Sequence, residues 1–549
     1  MNTPHCTRAL RTLLTLSCSL PFVQSAHADD AQRCLALGST TAEVTFTERR
    51  YVPAGEQPQA NTGRAALTGE ALSKAVMPAH CLVVGTLGER VGQDGQHYAT
   101  RFELRLPSPW NGRFLFQGGG GMDGVLGQAL GAIPFRGATA QPALNRGYAV
   151  VSTDSGHTGR NSSDATFGLD QQARLDYAYA AIGTVTAQAK RLLDSYYGRQ
   201  PAHSVFMGCS NGGRSALMAA QRFPTEFDGI IAGNPGVRLS RAAIAQAWDV
   251  RALAAAAPRA ADGRPILAQA LTQADQTLIA NRVLAQCDAL DGLRDGAIEA
   301  MSRCHFDPTV LQCKPGQVEQ CLGQAKVTAL RSVFGGARDS RGQALYSDWP
   351  WDAGIGSNGW RAWKLGSSTS GEADARNATL TPGSLGYYFM TPPRSDLKLD
   401  TVDFDAAAQA TAQTGAINDA VSTQLSTFTA GGGKLIVIQG NSDPVFSAND
   451  LRRYWQQLSA DNGGAARLGQ WARMFVVPGM THCGDGPGLD DIDPLAALES
   501  WQAHGDAPAH LLARGTAFPG RSRPLCPYPQ EAHYTGQGDS EKAESFVCR

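Results

Sequence analysis

Ser210 lies at the centre of Gly208-Cys-Ser-Asn-Gly212, between an apolar segment and a segment with helical character. The pentapeptide fits G-x-S-x-G, in which a strand turns sharply into a helix and exposes the serine hydroxyl. This pattern recurs by chance, and alone it is equally compatible with a structural serine. Residues 204–207 supply the apolar strand and residues 214–222 the helix that the motif needs. We therefore predict a strand-turn-helix elbow with Ser210 as a nucleophile at its tip.

Two stretches of the chain alternate predicted strands with helices, as in a parallel sheet that is covered on both faces. The predicted strands are residues 113–117, 147–153, 204–207, 229–233, 434–438 and 473–477, with a helix at 176–197. The alternation stops over residues 237–430, which hold Ala-rich helical patches and four cysteines. These patterns predict an α/β fold, namely an α/β-hydrolase core formed by residues 29–236 and 431–549, with an inserted lid domain at 237–430.

A serine nucleophile needs a base, and the base needs an orienting acid. In these folds the chain order is Ser, then Asp or Glu, then His. Asp443 directly follows an apolar strand, and His482 follows the next one. A turn or helix-capping role for Asp443 and a structural role for His482 are the alternatives. Asp485 is nearer to His482 in sequence but fits the end of a strand less well, so we predict the triad Ser210, His482 and Asp443.

The glycine run at residues 118–121 ends a predicted strand on the N-terminal side of the elbow. Glycines let the backbone approach a substrate closely. An oxyanion hole in this fold combines the backbone N–H of the residue after the nucleophile with one from such a loop. We therefore expect the N–H groups of Gly121 and Asn211 to form it; a flexible hairpin is the alternative for the run.

The N-terminus has the order of a secretory signal. Arg8 and Arg11 precede an apolar run at residues 13–23, and Ala26-His-Ala28 offers a cleavage site between small residues. The run is shorter than the roughly 20 residues that span a bilayer. We predict a signal peptide at residues 1–28 and a secreted or periplasmic protein; a buried N-terminal helix is the alternative.

Cleavage after Ala28 removes two of the 12 cysteines, Cys6 and Cys18, and leaves an even set. An even count in a secreted chain implies disulfides. Short loops favour Cys313–Cys321, Cys287–Cys304 and Cys526–Cys548, which leaves Cys34–Cys81 and Cys209–Cys483. The last pair would join the chain beside Ser210 to the chain beside His482.

Composition excludes several partner classes. The formal net charge is −1 and 18% of residues are charged, so there is no basic field for nucleic acid or an anionic membrane. After the N-terminal run, no hydrophobic segment is long enough to cross a membrane. We expect a monomer that acts on a small molecule without an organic cofactor.

Asp288, Asp291 and Asp295 are spaced by three and four residues, and two glycines allow a tight loop around them. Oxygen ligands on a turning backbone suit Ca²⁺, although the spacing is not that of an EF-hand. A solvated acidic loop is an equally good interpretation of the spacing alone. If Cys287 and Cys304 pair, their disulfide would close the loop.

Three segments together resemble the tannase and feruloyl esterase family: Gly208-Cys-Ser-Asn-Gly-Gly-Arg214, Ser442-Asp443 and Pro478-Gly-Met-Thr-His-Cys483. The resemblance covers essentially the whole mature chain. It implies the Cys209–Cys483 disulfide beside the triad and a structural calcium site in the lid. By this analogy Asp288, Asp291 and Asp295 bind calcium by side chain, and Leu293 and Ala297 bind it by backbone carbonyl.

Further stretches are most similar to the members of this family that hydrolyse terephthalate monoesters. The stretches lie at residues 287–293, 351–354, 359–361, 475–480 and 523–530. The resemblance implies that Arg376 grips a free carboxylate of the substrate. It also implies that Trp363 and Phe446 form an aromatic wall, and that Leu239 is an apolar lid contact. Leu380 stands where those members have a phenylalanine that closes over the ring.

The resemblance thus implies a secreted serine carboxylic ester hydrolase for small aromatic-acid esters, whether terephthalate monoesters, feruloyl esters or galloyl esters. A feruloyl esterase or tannase without activity on terephthalate monoesters is an alternative within the family. A non-catalytic binding protein of the same fold is a different class, against which the intact Ser210, Asp443 and His482 argue. A peptidase has the same triad, but a lidded aromatic pocket favours small esters.

Overall fold

The computed structural model describes Met1 and residues 22–38, 44–59 and 75–549. The predicted signal peptide, residues 1–28, lies outside the described residues except for Met1 and the start of α1, which begins at Phe22. Among the described residues, none of the helices combines the length and the apolar character needed to cross a bilayer.

The described strands are β1 Val44–Val52, β2 His80–Val91, β3 His97–Pro107, β4 Arg113–Gln117, β5 Ala149–Thr153, β6 His203–Cys209, β7 Gly229–Gly233, β8 Lys434–Gly440, β9 Ala472–Val477, β10 Leu511–Ala513, β11 Arg523–Leu525, β12 Ala532–Tyr534 and β13 Phe546–Cys548. The α-helices are α1 Phe22–Ala36, α2 Gln171–Leu175, α3 Ala181–Tyr197, α4 Asn211–Arg222, α5 Leu239–Ala256, α6 Gln273–Cys287, α7 Gln324–Phe334, α8 Asn358–Lys364, α9 Arg376–Gly383, α10 Phe404–Ala410, α11 Ala412–Asn418, α12 Ser426–Ala430, α13 Ala448–Asp461, α14 Ala465–Leu468 and α15 Pro494–His504.

One large mixed sheet runs through the molecule, in the strand order β1-β2-β3-β5-β4-β6-β7-β8-β9. The pairs from β5 through β9 are parallel, whereas β1, β2 and β3 are antiparallel to their neighbours. Parallel strands bring their carboxyl ends to one edge of the sheet, and ligands in open α/β sheets bind beyond that edge. The predicted α/β-hydrolase fold is confirmed.

Side chains alternate between two hydrophobic cores along the central strands. On β6, Phe206 packs on one face with α3, α4 and α13, while Val205 and Met207 pack on the other with α15. On β8, Leu435 and Val437 share the first face, and Ile436 and Ile438 share the second. Because neighbouring side chains on a strand point to opposite faces, these continuous apolar runs indicate strands buried on both sides.

The chain between β7 and β8 contributes no strand to this sheet. It forms α5 to α12 and holds most of a third hydrophobic core, which includes Ile244, Leu330, Trp360 and Leu385. The boundaries 237 and 430 of the predicted lid domain stay a prediction.

Two short π-helical segments adjoin α-helices. Asp176–Ala180 lies between α2 and α3, and Ser384–Phe389 directly follows α9. Such segments often accompany functional sites, since they shift the side chains that follow. Tyr177 from the first segment and Ser384 and Phe389 from the second line the same cleft as Ser210.

Candidate active site

Ser210 occupies the sharp turn between β6 and α4, with φ 63° and ψ −126°. An L-residue other than glycine rarely adopts a positive φ, and such strain is concentrated at functional sites. The turn is packed so closely that a Cβ atom at Gly212 would lie 2.5 Å from the Gly119 carbonyl oxygen, and one at Gly213 2.2 Å from that of Gly233. These glycines allow the elbow to contact the neighbouring strand ends.

The structure brings the three predicted triad residues into one hydrogen-bonded chain. The Ser210 hydroxyl lies 2.8 Å from Nε2 of His482, and Nδ1 of His482 lies 2.9 Å from Oδ2 of Asp443. All three residues are buried. The nearer acid in sequence, Asp485, instead forms an exposed ion pair with Arg136 at 2.7 Å.

Asp443 accepts hydrogen bonds from several directions besides His482. The backbone N–H groups of Val445 and Phe446 donate to Oδ1 at 2.7 and 3.2 Å, and the Asn234 amide donates to Oδ2 at 2.7 Å. Together these hydrogen bonds fix the orientation of the Asp443 carboxylate. The contact from Asn234 was missed by the sequence analysis, because it links the end of β7 to a residue 209 positions away.

Five disulfides join the ten cysteines from Cys34 onward, in the pairs that the loop lengths favoured. Cys209 and Cys483 are bonded with a Cα–Cα distance of 6.1 Å. The bond joins the residue before Ser210 to the residue after His482. It therefore restrains the separation of those two side chains across the intervening strands β7 and β8.

Asp352, from the segment between β7 and β8, links the loops that carry the acid and the base. Its carboxylate accepts from the Asn441 amide at 2.9 Å and from the Gly479 N–H at 2.8 Å. Burial raises the pKa of this carboxyl, while the Gly479 and Asn441 hydrogen bonds oppose the rise. Asp352 lies in the stretch 351–354 that resembles family members, but the sequence did not indicate that its carboxylate contacts these loops.

Gly121 and Asn211 both line the cleft beside Ser210. Asn211 is the first residue of α4, where backbone N–H groups have no partner within the helix. Gly121 has φ 60°, and its carbonyl accepts a hydrogen bond from the Tyr177 hydroxyl at 2.8 Å. The Asn211 side chain contacts Asp123 and Arg214 instead of the cleft. The position of both residues is compatible with an oxyanion hole.

The cleft is mainly apolar and aromatic. Its lining comprises Gly121, Met122, Tyr177, Ser210, Asn211, Leu239, Ala243, Gln246, Trp363, Leu380, Ser384, Phe389, Val445 and Phe446. The rings of Trp363 and Phe446 meet the His482 imidazole edge-on, each with ring centroids 5.3 Å apart. The four predicted apolar contacts, Leu239, Trp363, Leu380 and Phe446, thus lie around Ser210.

Arg376 lies at the start of α9, with its guanidinium 5.2 Å from the centre of the Trp363 ring. Burial and then the charge of Arg136 lower the pKa of Arg376. Pairing with Glu372 or Asp374 is not observed in the part of the chain that the structure describes. Asp374 accepts hydrogen bonds from Ser367, and Glu372 faces Arg264 at 3.7 Å.

In the acidic loop, residues 288–297, the carboxylates accept hydrogen bonds from the backbone of the loop itself. Asp291 accepts from the Leu293 N–H at 2.9 Å and Asp295 from the Ala297 N–H at 3.1 Å. Burial raises the pKa of Asp291 to about 6, and repulsion from Asp295 and Asp288 adds to the effect.

Residues 22–38, 44–59 and 75–549 contain no group of three or more His, Cys, Asp or Glu side chains that is arranged to bind a metal ion. Arg521 and Arg523 form ion pairs with Asp295.

The sequence matches known proteins over nearly its full length. The family profile described as tannase and feruloyl esterase matches residues 81–549. The chain belongs to the tannase and feruloyl esterase family. It is a carboxylic ester hydrolase.

A mono(2-hydroxyethyl) terephthalate hydrolase from Piscinibacter sakaiensis is 39% identical over 522 residues, which cover 87% of this chain and 86% of that protein. Feruloyl esterase B from Aspergillus oryzae superimposes with a TM-score of 0.78 at 24% identity, covering 95% of this chain and 100% of that one. The tannin acyl hydrolase from Aspergillus niger gives a TM-score of 0.68 at 21% identity over 95% of this chain and 94% of that one. At these identities the two structures support the fold.

We predict that Cys209→Ala with Cys483→Ala lowers kcat/KM about 10- to 100-fold, because small displacements of reacting groups cost rates of this size. Circular dichroism should show little change in secondary structure. The matched control is Cys313→Ala with Cys321→Ala, which removes a disulfide whose cysteines do not line the cleft. Equal activity losses in the two double variants would contradict a role for the Cys209–Cys483 bond in the site.

Proposed function

We propose that this esterase hydrolyses esters of small aromatic acids, with Ser210 as the nucleophile. The observation that carries the proposal is the Asp443–His482–Ser210 chain, with contacts of 2.9 and 2.8 Å, at one end of an aromatic cleft. The aromatic acid would lie between Trp363, Phe446 and the apolar residues Leu239 and Leu380. The names of the relatives, which act on terephthalate monoesters and feruloyl esters, support this substrate class.

In the proposed mechanism, His482 takes the proton of the Ser210 hydroxyl as the serine oxygen attacks the ester carbonyl carbon. Asp443 holds the imidazole in the required tautomer and stabilises the imidazolium. The imidazolium then gives its proton to the leaving alcohol, and an acyl-enzyme forms. Water attacks this ester by the same route, which releases the acid and restores Ser210.

The N–H groups of Gly121 and Asn211 would stabilise the oxyanion that forms in both steps. Two observations support this role. Both residues line the cleft beside Ser210, and the Tyr177 hydroxyl fixes the orientation of the Gly121 carbonyl. Preorganised donors of this kind need no rearrangement as charge develops on the oxygen.

A chain with five disulfides is typical of an oxidising compartment, which supports secretion or a periplasmic location after removal of residues 1–28. We infer further that residues 237–430 act as a lid domain over a catalytic domain formed by residues 29–236 and 431–549, and that the protein is a monomer. The contribution of Leu239, Trp363 and Leu380 to the cleft supports the lid assignment.

We expect Ser210→Ala, His482→Ala and Asp443→Asn each to lower kcat by about 10⁴-fold or more, since a triad acts as a unit. Combining two of the changes should add little to the loss. Asp485→Asn is the control, because its carboxylate is exposed and points to Arg136. Rates should be measured on one aromatic ester that the unmodified enzyme cleaves. Near-normal turnover by Ser210→Ala would overturn the mechanism.

Arg376 is the residue that we propose to bind an acid group on the substrate. A guanidinium can bind a carboxylate through two parallel charge-assisted hydrogen bonds. Arg376 is half-buried, its guanidinium lies 5.2 Å from the centre of the Trp363 ring, and it has no ion pair among the described residues. A carboxylate on the aromatic ring would supply the missing negative charge.

Arg376→Ala should therefore lower kcat/KM for a terephthalate monoester by roughly 10- to 150-fold, the range for hydrogen bonds to charged groups. The matching diester, whose second acid is blocked by a methyl group, should be much less affected. Arg394→Ala is a control, since Arg394 is exposed and faces Asp396. Equal losses on the charged and the neutral ester would favour feruloyl or galloyl esters as the substrates.

We also propose a structural calcium ion bound by Asp288, Asp291 and Asp295 and by the carbonyls of Leu293 and Ala297. The support is the chemistry of the donors: a hard cation prefers oxygen ligands, and the charges of Asp295 and Asp288 help to raise the pKa of Asp291. Binding would require Asp295 to turn from Arg521 and Arg523 towards the ion. Calcium would offset that repulsion and hold the loop closed beside the Cys287–Cys304 disulfide.

Chelation by EGTA should lower the melting temperature, and added Ca²⁺ should restore it, because a ligand of the folded state alone stabilises that state. Asp291→Asn should reduce this response, whereas Asp396→Asn on the exposed surface should leave it unchanged. An unchanged melting curve in EGTA, together with no metal by elemental analysis, would contradict the calcium site.

A further inference from the structure

Gln246 is a polar residue in the apolar wall of the cleft. Leu239, Ala243 and Gln246 line the cleft from α5 at spacings of four and three residues, so they share one face of the helix. Only 9% of Gln246 is exposed. A buried carboxamide requires hydrogen-bond partners, because an unpaired polar group costs free energy.

The amide oxygen of Gln246 has a hydrogen-bond partner, whereas its amide nitrogen has none among the described residues. The Thr381 hydroxyl, which is fully buried on α9, donates to Oε1 of Gln246 at 3.1 Å. For Nε2, no acceptor is found in the part of the chain that the structure describes. Gln246 borders the same cleft as Ser210, in which the acid part of an ester would lie.

Ser384 provides a second polar group on the same wall. It lies three residues after Thr381, lines the cleft, and is 6% exposed. Its hydroxyl likewise has no partner among residues 22–38, 44–59 and 75–549. The other polar side chains of the cleft are engaged: Tyr177 donates to the Gly121 carbonyl, and Asn211 contacts Asp123 and Arg214.

We propose that Gln246 and Ser384 form a specificity subsite for an uncharged oxygen substituent, a hydroxyl or a methoxy group, on the aromatic ring of the acid. The Gln246 N–H₂ donates to that oxygen, and the Ser384 hydroxyl accepts from or donates to it. Thr381 is a positioning residue that orients the Gln246 amide. The subsite rests on the proposed function and is distinct from Arg376, which would bind a charged group.

Neutral donors distinguish this subsite from a cationic one. An arginine selects a carboxylate, whereas a carboxamide and a hydroxyl form hydrogen bonds with phenol or ether oxygens at no cost in buried charge. A site that binds a ring oxygen also disfavours substrates whose ring has no such oxygen, because Nε2 of Gln246 then stays unpaired. The enzyme should therefore prefer hydroxylated or methoxylated rings over bare ones.

The test is the ratio of kcat/KM for ethyl 4-hydroxycinnamate or ethyl ferulate to that for ethyl cinnamate, which lacks the ring oxygens. Gln246→Leu keeps the size of the side chain and removes its donors. It should lower this ratio by roughly 2- to 13-fold, the range for one neutral hydrogen bond, with the change mainly in KM. Ser384→Ala should also lower the ratio, and Thr381→Val should lower it by a smaller factor.

One double variant tests whether Gln246 and Thr381 act together. Gln246→Leu with Thr381→Val should lower the ratio no more than Gln246→Leu alone, because Thr381 acts only through the amide. Gln324→Leu is the matched control: Gln324 is exposed at the first residue of α7, and its variant should keep the ratio of the unmodified enzyme. Melting temperatures of all variants report loss of folding separately from loss of selectivity.

The outcomes separate this inference from the proposed function. If the unmodified enzyme cleaves these esters but Gln246→Leu and Ser384→Ala lower kcat/KM equally for oxygenated and bare rings, the subsite is refuted and the aromatic esterase stands. If the unmodified enzyme cleaves no aromatic ester of either kind, the proposed function fails and the subsite fails with it. A lowered ratio in both single variants, with Gln324→Leu unchanged, supports the subsite.

Discussion

The disulfide between Cys209 and Cys483 is the constraint on which the site depends most directly. It joins the end of β6 to the loop after β9, although β7 and β8 lie between these strands in the sheet. The disulfide flanks Ser210 and His482, whose hydrogen bond of 2.8 Å would carry the proton in the proposed mechanism. A covalent link one residue from each side chain restrains their separation without relying on packing alone. The hydrogen bonds from Asn234, Val445 and Phe446 then fix Asp443 against the same imidazole.

The proposed reacting groups and the cleft wall come from different parts of the chain. Ser210, Asp443 and His482 follow strands of the sheet, whereas Leu239, Gln246, Trp363 and Leu380 belong to the helices between β7 and β8. Asp352 ties that inserted segment to the loops of the acid and the base. This division allows the wall to change with the acid that is bound while the triad geometry is kept, as in other folds where loops on a rigid scaffold carry specificity.

Much of the core was predictable from the sequence because its signals are local. The strand predicted at residues 113–117 coincides with β4, that at 229–233 coincides with β7, and the elbow follows from G-x-S-x-G. The antiparallel strands β1 to β3 were not predicted, since their alternating, partly exposed patterns are weaker than those of the buried parallel strands. The first five residues of the helix predicted at residues 176–197 form a π-helical segment, which carries Tyr177. The contacts of Asn234, Asp352 and Gln246 were not predicted, because they join segments far apart in the chain.

The most direct test of the central claim is to map the site of covalent labelling by a fluorophosphonate, which traps an activated serine as a stable adduct. The enzyme should be inactivated as one equivalent is incorporated, and mass spectrometry of the digested protein should locate the adduct on Ser210. Prior acylation by a slowly hydrolysed aromatic ester should protect the same residue. An adduct on a different residue, or an enzyme that stays active and unlabelled, would contradict the claim that Ser210 is the nucleophile.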